Sequence, residues 1–589
     1  MRFPKVWAVV LLLAACTQSR PAAQKEISYP LSSDIQGFDP IHSRDTFTSI
    51  AVSQVYQGLL KYKYLARPYG VEPLLAEKMP SVSSDGLTYT FRIRDGAFFH
   101  DDAVFGGVPR PLRASDFVYS FKRLADPENQ APQWWVLEGR ITGLDEFRER
   151  LKAFRGTDPY REIDVAGLSA PDEKTLVVKL KKPYRRLPFI LAMAPTVAVP
   201  REIVEAYGKE FLNHPVGTGP FILKEWRRGQ KIVFEKNPKY WSETYPSEGE
   251  PGDRGLGLLE AAGRPLPFVD RVTFWIYVES QPAWLNFLKG KLDLGTIPKD
   301  AFETVFDPGG KLRDEMAAKG IMSRVSKQSD LVMFVFNLND PLLGQNPFLR
   351  KAISCAIDRE RLIRTFYNGR AIAARGPIPP DIFGYDPKLK DPNGYDPARA
   401  REFLERARDL ERKRGKNGKI PAIVQDIENS ASARQMAEAV TADLKKVGLS
   451  SEIRVSTWPQ LQQRQAKGDV QFVLYSWVAD YPDPENFLRL LYGQNVSPGP
   501  NAANFKNAAY DRMFEKMQNL PNNAERAALI TKMVSLVHQE TPWVFLGHRM
   551  AYTIRHSWLK NFKRNEMSPA QIKYLDVDPD KKRETLPKL

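Results

Sequence analysis

The sequence contains little cysteine and none of the common catalytic or metal-binding motifs. Cys16 and Cys355 are the only cysteines among 589 residues, so no disulfide framework is available. The six histidines do not have the spacing of zinc ligands, and no HExxH box, G-x-S-x-G elbow or dinucleotide fingerprint occurs. The sequence therefore predicts no metal site, no cofactor and no enzyme. An active site of Ser, His and Asp drawn from distant segments stays open as an alternative.

Long hydrophobic runs are absent after the first residues of the chain. Arg2 and Lys5 precede the apolar run Val6–Leu13, which is typical of a secretory leader and too short to span a bilayer stably. The run ends in Leu-Ala-Ala-Cys, which resembles the lipobox of bacterial lipoproteins. We therefore expect residues 1–15 to be a signal peptide, Cys16 to carry lipid, and residues 16–26 to be a polar tether. An ordinary leader, with Cys16 incidental, is the alternative.

The charge balance is basic, with a formal net charge of +16 at pH 7. Such a charge suits nucleic acid or an anionic membrane surface. However, the basic residues are interleaved with acidic ones, and the densest basic patches are short. This pattern favours a solvated basic surface over nucleic-acid binding.

The length predicts two to four domains.

In the second half of the chain, strand and helix patterns alternate. This succession predicts a parallel sheet. Predicted strands cover 331–339, 422–427, 449–455 and 470–475, and predicted helices cover 346–367, 433–447 and 458–466.

The stretch after the last of these strands is the first candidate site. Trp477 and Asp480 follow the apolar run 470–475, and Pro482 and Pro484 prevent the strand from continuing. Ligands gather at the carboxyl ends of parallel strands, so an aromatic ring and a carboxylate at this place indicate binding. The alternative is an Asx-type turn with Trp477 in the core and Asp480 as a cap.

The rest of the chain shows weaker local patterns. We expect Cys355 to be a buried, unpaired thiol within the 346–367 helix.

Several further elements are predicted outside the second half or at its end. Helices are predicted over 49–60 and over 115–124 with Ser115 as a cap, and strands over 87–93 and 173–180. A tight turn is predicted at 217–220, a hairpin over 221–235, a surface insertion over 244–268 and two strands over 543–562.

Ten short stretches, taken together and in order, resemble family 5 of the bacterial extracellular solute-binding proteins. These are the oligopeptide- and dipeptide-binding components of ABC importers. The stretches are Phe38–Pro40, Val55–Leu59, Pro73–Glu77, Asp85–Phe91, Phe99–Asp101, Ala114–Ser120, Pro215–Phe221, Asn237–Trp241, Arg350–Ile353 with Ile357–Arg359, and Trp477–Pro484.

The resemblance implies a three-lobed α/β fold of the type II periplasmic binding proteins, similar to cluster C, with mixed sheets and a hinge between two main lobes. Lobe II would cover 63–211, and lobe III would cover 326–540. Lobe I would combine 27–62, 212–325 and 541–589. A ligand would be enclosed between lobes I and III when they close.

The resemblance also implies a site. A peptide would pair along the cleft by strand-like hydrogen bonds. Asp480 would meet its α-amino group. The ligand-binding residues would be Arg44, Asp45, Thr46 and Phe47 on lobe I and Ser476, Trp477, Val478, Asp480 and Tyr481 on lobe III.

The expected function follows from this resemblance. A monomer, anchored through lipid on Cys16 at the periplasmic side of the envelope, would capture peptides and deliver them to an ABC permease. Two alternatives are a non-peptide solute in the same fold and an envelope sensor or scaffold lipoprotein without an import role. The family also includes nickel, haem and sugar binders. His100-Asp101-Asp102 lacks the glycine common after the family's His-Asp pair.

The anchor can be tested by removing its attachment point. Cys16→Ala should release the protein from the membrane fraction, because two or three acyl chains on that residue anchor stably. Fractionation of cells followed by immunoblotting measures this. Cys355→Ala is the matched control and should stay with membranes; a Cys16→Ala protein that also stays there would contradict the anchor.

Overall fold

A computed structural model describes residues 24–43, 45–241 and 243–589. The expected leader, the lipidation site Cys16 and the candidate residue Arg44 lie outside these ranges. Within them, no helix is both long and apolar enough to cross a membrane.

Strands are short over most of the described chain, and β18 is the longest of them. The strands are β1 Glu26–Leu31, β2 Leu60–Tyr62, β3 Val71–Pro73, β4 Ser81–Val82, β5 Thr88–Arg92, β6 Leu168–Ser169, β7 Thr175–Lys179, β8 Phe221–Arg227, β9 Lys231–Lys236, β10 Arg271–Ile276, β11 Leu294–Gly295, β12 Ile321–Lys327, β13 Asp330–Phe336, β14 Ala371–Ala373, β15 Ile423–Glu428, β16 Ser451–Ser456, β17 Phe472–Val478, β18 Trp543–His556, β19 Leu559–Lys560 and β20 Asp576–Val577.

Helices are concentrated in the second half. The α-helices are α1 Thr46–Val55, α2 Ala114–Ala125, α3 Leu144–Leu151, α4 Pro159–Glu162, α5 Leu187–Ile190, α6 Arg201–Tyr207, α7 Ser280–Leu288, α8 Phe302–Val305, α9 Asp314–Ala318, α10 Pro347–Ala356, α11 Arg359–Tyr367, α12 Pro397–Lys413, α13 Ala431–Lys446, α14 Trp458–Ala466, α15 Glu485–Leu488, α16 Ala508–Asn519, α17 Ala524–Glu540 and α18 Pro579–Thr585.

Three larger sheets organise these elements. One four-stranded sheet has the order β1-β10-β9-β8, and another has the order β4-β5-β7-β6. The third sheet has eight strands in the order β11-β18-β13-β17-β15-β16, with β12 and β14 also paired to β18. The first part of β18 pairs with β13 and the last part pairs with β12, so this one strand joins two regions of the molecule.

The predicted parallel sheet is mixed. β15 is parallel to β16 and β17, as expected for crossovers through helices, but β13 runs antiparallel to β17 and β18. β13 is buried on both faces: Leu331 and Met333 pack into one hydrophobic cluster, and Val332 and Phe334 pack into another. A strand buried on both faces has a continuous apolar sequence, and such a run does not reveal its direction.

Several predicted helix boundaries were wrong, because the helices begin at polar capping side chains that the apolar pattern does not include. Helix α1 begins at Thr46, since the Asp45 carboxylate caps it by accepting a hydrogen bond from the backbone N–H of Thr48. The predicted helix over 346–367 is two helices, α10 and α11, and the Asp358 side chain caps the second. Ser115 is not a cap, because α2 begins one residue earlier.

Two further expectations differ in detail. The tail forms one 14-residue strand, β18, followed by the short β19, rather than two similar strands. The 244–268 segment is not only surface: Tyr245 and Leu258 are buried, and Asp253 forms a buried ion pair with Lys563 at 2.6 Å.

Other expectations are confirmed. The hairpin is β8 and β9, and strands cover 88–92 and 175–179. Cys355 is buried and free, and burial raises the pKa of its thiol to about 11.

The stretch 217–220, predicted as a tight turn, is a bend in which two backbones approach closely. The N–H of Gly219 donates to the carbonyl of Val55 at 2.7 Å, at the end of α1. A Cβ at Gly217 would lie 2.1 Å from the same carbonyl oxygen. The imidazole of His100 lies 3.0 Å from the carbonyl oxygen of Gly219 and holds the other side of the turn. Residue 217 must therefore be glycine, because the carbonyl of Val55 leaves no room for a Cβ.

Gly217→Ala should lower the free energy of unfolding by about 1–3 kcal/mol, as overpacking does. Urea unfolding followed by circular dichroism measures this. Gly252→Ala is the control, because a Cβ at that residue would meet nothing within 4 Å. Equal stability of the two variants would contradict the argument.

Candidate ligand-binding site

The end of strand β17 presents aromatic rings on one face and small side chains on the other. The strand continues three residues beyond its predicted end, because Ser476, Trp477 and Val478 pair with Val332, Leu331 and Asp330 of β13. Side chains alternate along a strand, so Tyr475 and Trp477 share a face, and their rings stack with centroids 6.4 Å apart. Ser476 and Val478 are exposed on the opposite face.

One buried amide orients the candidate site. Asn486, in α15, is fully buried. Its Oδ1 accepts hydrogen bonds from the indole Nε1 of Trp477 at 2.8 Å and from the backbone N of Asp480 at 3.1 Å. Its Nδ2 donates to Oδ2 of Asp480 at 2.9 Å. Asn486 therefore fixes both the indole and the carboxylate that the sequence singled out.

The Asp480 carboxylate lacks a close cationic partner among the residues that the structure describes. Burial raises the pKa of Asp480, and the hydrogen bond from Asn486 and the charge of Arg489 only partly oppose this. Burial, followed by the nearby Asp480 charge, raises the pKa of Tyr475 to about 12 and that of Tyr62 well above its ordinary range. The charge of Asp480 thus acts on the pKa values of two phenols, and the protein leaves that charge weakly compensated.

The N-terminal half contributes a second pair of aromatic rings to this cluster. Tyr62 belongs to the same hydrophobic cluster as Tyr475 and Trp477. Its ring stacks on Phe189, with centroids 6.1 Å apart. Aromatic faces together with a carboxylate suit an ammonium group, through cation–π contacts and a charge-assisted hydrogen bond.

The predicted segment 45–47 makes no described hydrogen bond to 476–481. Asp45 accepts from both the N–H and the hydroxyl of Thr48, at 2.9 and 2.7 Å, so its carboxylate is used as a helix cap. Thr46 is exposed, and Phe47 is half-buried against the N-terminal core.

A relay of side chains connects this segment to the Asp480 region. The carbonyl of Ser43 accepts from Gln133 at 2.9 Å, and Gln133 accepts from the indole of Trp135 at 2.6 Å. The guanidinium of Arg489 lies 4.5 Å from the centre of the Trp135 ring. Ser43 is therefore connected to Arg489 through two intervening side chains.

Tyr481 is placed differently from the other predicted site residues. Its side chain is fully buried in the N-terminal hydrophobic cluster, and its hydroxyl has no hydrogen-bond partner among the described residues. The ring is therefore core in this conformation, because it crosses from the 326–540 segment into the packing of the other half. Strand β17 ends at Val478, so the alternation of side chains along the strand does not fix the direction of the Tyr481 ring.

A buried ion-pair network, absent from the sequence predictions, joins the same two parts of the molecule. Asp483 accepts from Nε of Arg186 at 2.9 Å and from both terminal nitrogens of Arg526, at 2.9 and 2.6 Å. Arg186 lies in the 63–211 segment, whereas Asp483 and Arg526 lie in 326–540. All three side chains are nearly inaccessible to solvent. This network joins the two segments through side chains that are buried in the structure.

Electrostatics favour the ionised form of this network at neutral pH. Burial opposes charge on Asp483, but the hydrogen bonds from Arg526 and the charge of Arg186 outweigh it and lower the pKa of the carboxyl. A carboxyl with a lowered folded-state pKa stabilises the fold above its ordinary pKa of about 3.9, and that stabilisation is lost as the pH falls below it.

Comparison with known proteins shows which family this chain belongs to. A family model described as "Bacterial extracellular solute-binding proteins, family 5 Middle" matches residues 70–499. The chain belongs to this family. Heme-binding protein A of Haemophilus influenzae is 26% identical over 576 residues, covering 92% of this chain and 93% of that protein. Di/tripeptide-binding protein 2 of Pseudomonas aeruginosa is 24% identical, covering 97% and 98%.

Solved structures agree on the fold. The periplasmic binding protein DppA of Helicobacter pylori, in complex with the peptide STSA, matches with a TM-score of 0.74 and 23% identity, covering 94% of this chain and 98% of that one. The murein tripeptide-binding protein MppA of Escherichia coli matches with a TM-score of 0.71 and 20% identity, covering 94% and 99%. This family member therefore has the type II periplasmic-binding-protein fold.

The sequence pattern missed the residues that complete the site. Tyr62 and Phe189 come from the distant N-terminal half, and Arg186 has no motif around it. Asn486 follows Asp480 by six residues, and Pro482 and Pro484 lie between them. No helical or strand periodicity across this stretch predicts that the two side chains meet.

The ion-pair network predicts how firmly the 63–211 and 326–540 segments hold together. Arg186→Met removes one hydrogen bond to the Asp483 carboxylate, worth about 1.5–3 kcal/mol, while Arg526 keeps Asp483 paired. We expect the two segments to separate more easily in the ligand-free variant, which should then show a larger radius of gyration by small-angle X-ray scattering. The exposed neighbour Arg185→Met is the control. Identical scattering from both variants would contradict the role of Arg186.

Proposed function

We propose that this family member captures short peptides between the 476–481 segment and the N-terminal half, and that Asp480 binds the peptide α-ammonium group. The observation that carries the proposal is the Asp480 carboxylate, which has no close cationic partner among the described residues. It is oriented by Asn486 and lies near the phenols of Tyr62 and Tyr475.

Physical chemistry favours a cationic ligand at this place. A partly buried carboxylate is costly unless it is paired, and the raised pKa of Asp480 expresses this cost. An α-ammonium group would supply the missing charge and three hydrogen-bond donors. Strand-like pairing along the edge around Ser476 would add affinity that does not depend on side chains, as suits a carrier of varied peptides.

One relative and one solved structure support this choice of ligand, whereas Heme-binding protein A is named for a different solute. Di/tripeptide-binding protein 2 is named as a binder of such peptides, and the DppA structure contains STSA. For this chain we infer delivery of the peptide to an ABC permease at the periplasmic side of the membrane. The function would not involve catalysis. Attachment through lipid on Cys16 would keep the carrier close to that permease.

Asp480→Asn tests the ammonium role directly. A charge-assisted hydrogen bond is worth about 1.5–3 kcal/mol, and leaving the other charge buried and unpaired costs more, about 3–5 kcal/mol. We therefore expect peptide affinity to fall by roughly 10²-fold or more. Isothermal titration calorimetry with a free tripeptide measures this. Asp95→Asn, at an exposed carboxylate, is the matched control.

N-acetylated peptides separate this role from a structural one. They lack the ammonium charge, so they should bind the wild type weakly and respond little to Asp480→Asn. If Asp480 only capped the turn before Pro482, both ligands would lose affinity equally and stability would fall by about 1 kcal/mol. Equal losses for free and acetylated peptides would overturn the proposal.

A further inference from the structure

A cavity lies where two parallel strands of the eight-stranded sheet stop pairing. Among the described residues, β17 pairs with β15 only through Phe472 and Val473. Beyond them β15 continues to Glu428 beside β16, and β17 continues to Val478 beside β13. Because β15 and β17 are parallel, the unpaired stretch lies at their carboxyl ends, where ligands gather in α/β sheets.

The cavity has a volume of about 80 Å³, and most of its lining is apolar. The strands contribute Phe334, Ile427 and Leu474 to this lining. Helices α13 and α14 close the cavity from the other side with Met436 and Leu461. An empty space with such walls provides contacts for an aliphatic group.

Three polar side chains also line the cavity, and the protein already satisfies two of them. The amide of Gln425 donates to a backbone carbonyl and a hydroxyl of α13 and to a hydroxyl of β16. Asp426 is paired with Arg454 at 2.6 Å and with Arg464 at 2.8 Å. The third, Glu428, is half-exposed and forms no ion pair with another described residue. The interior therefore offers apolar contacts, with one carboxylate at its edge.

The cavity opens toward the candidate peptide site. Three of its lining residues are half-exposed: Glu428 at the end of β15, Ala433 in the first turn of α13, and Leu474 in β17. The opening therefore lies between these three elements. Side chains alternate along β17, so Leu474 shares its face with Ser476, which is exposed. The opening is thus two residues before the edge along which we propose that the peptide pairs.

We propose that this cavity binds an aliphatic side chain of the captured peptide, one with about three or four carbons. The inference rests on the proposed function, because its occupant is part of the peptide. The volume sets the size: about 150 Å³ holds a benzene ring, so about half of that suits a branched aliphatic group and excludes an aromatic ring. Glu428 at the edge disfavours acidic side chains, because like charges repel.

Strand geometry indicates which residue of the peptide reaches the cavity. Strands rise about 3.3 Å per residue, so Leu474 lies about 13 Å from Val478 along β17. A peptide whose α-ammonium group meets Asp480, and whose chain runs back along the open edge of β17, advances by the same distance per residue. Its third to fifth residue is therefore the one that arrives at the level of Leu474.

Pentapeptides test the pocket on the full chain. Pentaalanine is the reference, and three further peptides carry one leucine at the third, fourth or fifth position. Isothermal titration calorimetry should show one leucine peptide binding roughly 10- to 50-fold more tightly than pentaalanine, because three more carbons are buried. Phenylalanine at the same position should gain little, since its ring exceeds the cavity. An equal gain for phenylalanine, or no gain for any leucine peptide, would overturn the proposal.

Filling the cavity from α13 is the matched test. Ala433→Leu places three carbons at the opening and should abolish the gain from leucine. Ala442→Leu puts the same side chain at an exposed position of the same helix and should keep that gain. A gain that survives in Ala433→Leu would overturn the proposal. The comparison of leucine with phenylalanine uses only the wild type, so it decides the matter even if Ala433→Leu unfolds.

The same titrations separate this inference from the proposed function. Binding of pentaalanine without any gain from leucine would overturn the pocket and leave peptide capture standing. Binding of a free tripeptide without binding of any pentapeptide would also overturn the pocket alone. Absence of binding by the tripeptide and by all pentapeptides would overturn both.

Discussion

Strand β18 is the constraint on which the rest of the structure depends. Its 14 residues hydrogen bond with β13 at one end and with β12 at the other, so a single backbone belongs to both parts of the molecule. The middle of the strand is held by Asp330, which is fully buried and accepts from the backbone N of Arg549 at 2.8 Å and from its guanidinium. The change of partner along β18 falls near residues 547–550.

Two carboxylates three residues apart show how pairing decides the effect of burial on a pKa. Asp483 is paired with Arg186 and Arg526, and its pKa is lowered. Asp480 receives one amide hydrogen bond, from Asn486, and its pKa is raised. A buried charge that the protein satisfies holds segments together, whereas one that it leaves partly unsatisfied is stabilised by a cation from outside, as we propose for Asp480.

The sequence alone determined the local features whose cause is local. Alternating apolar residues predicted β5 and β7, the β8–β9 hairpin followed its turn, and Gly448 ended α13 because a left-handed residue suits glycine. The ordered motifs indicated the family, and Trp477 and Asp480 were singled out from one strand and two prolines.

Tertiary structure decided the direction of β13, the extension of β17 to Val478, the burial of Tyr481 and the partners of Asp480. An apolar run has the same pattern in a parallel and an antiparallel strand, so β13 could not be oriented from its residues. Tyr62, Phe189 and Arg186 reach the site from more than 250 residues away in the chain. Their contribution depends on how two separate sheets pack, and no local pattern in the sequence contains that information.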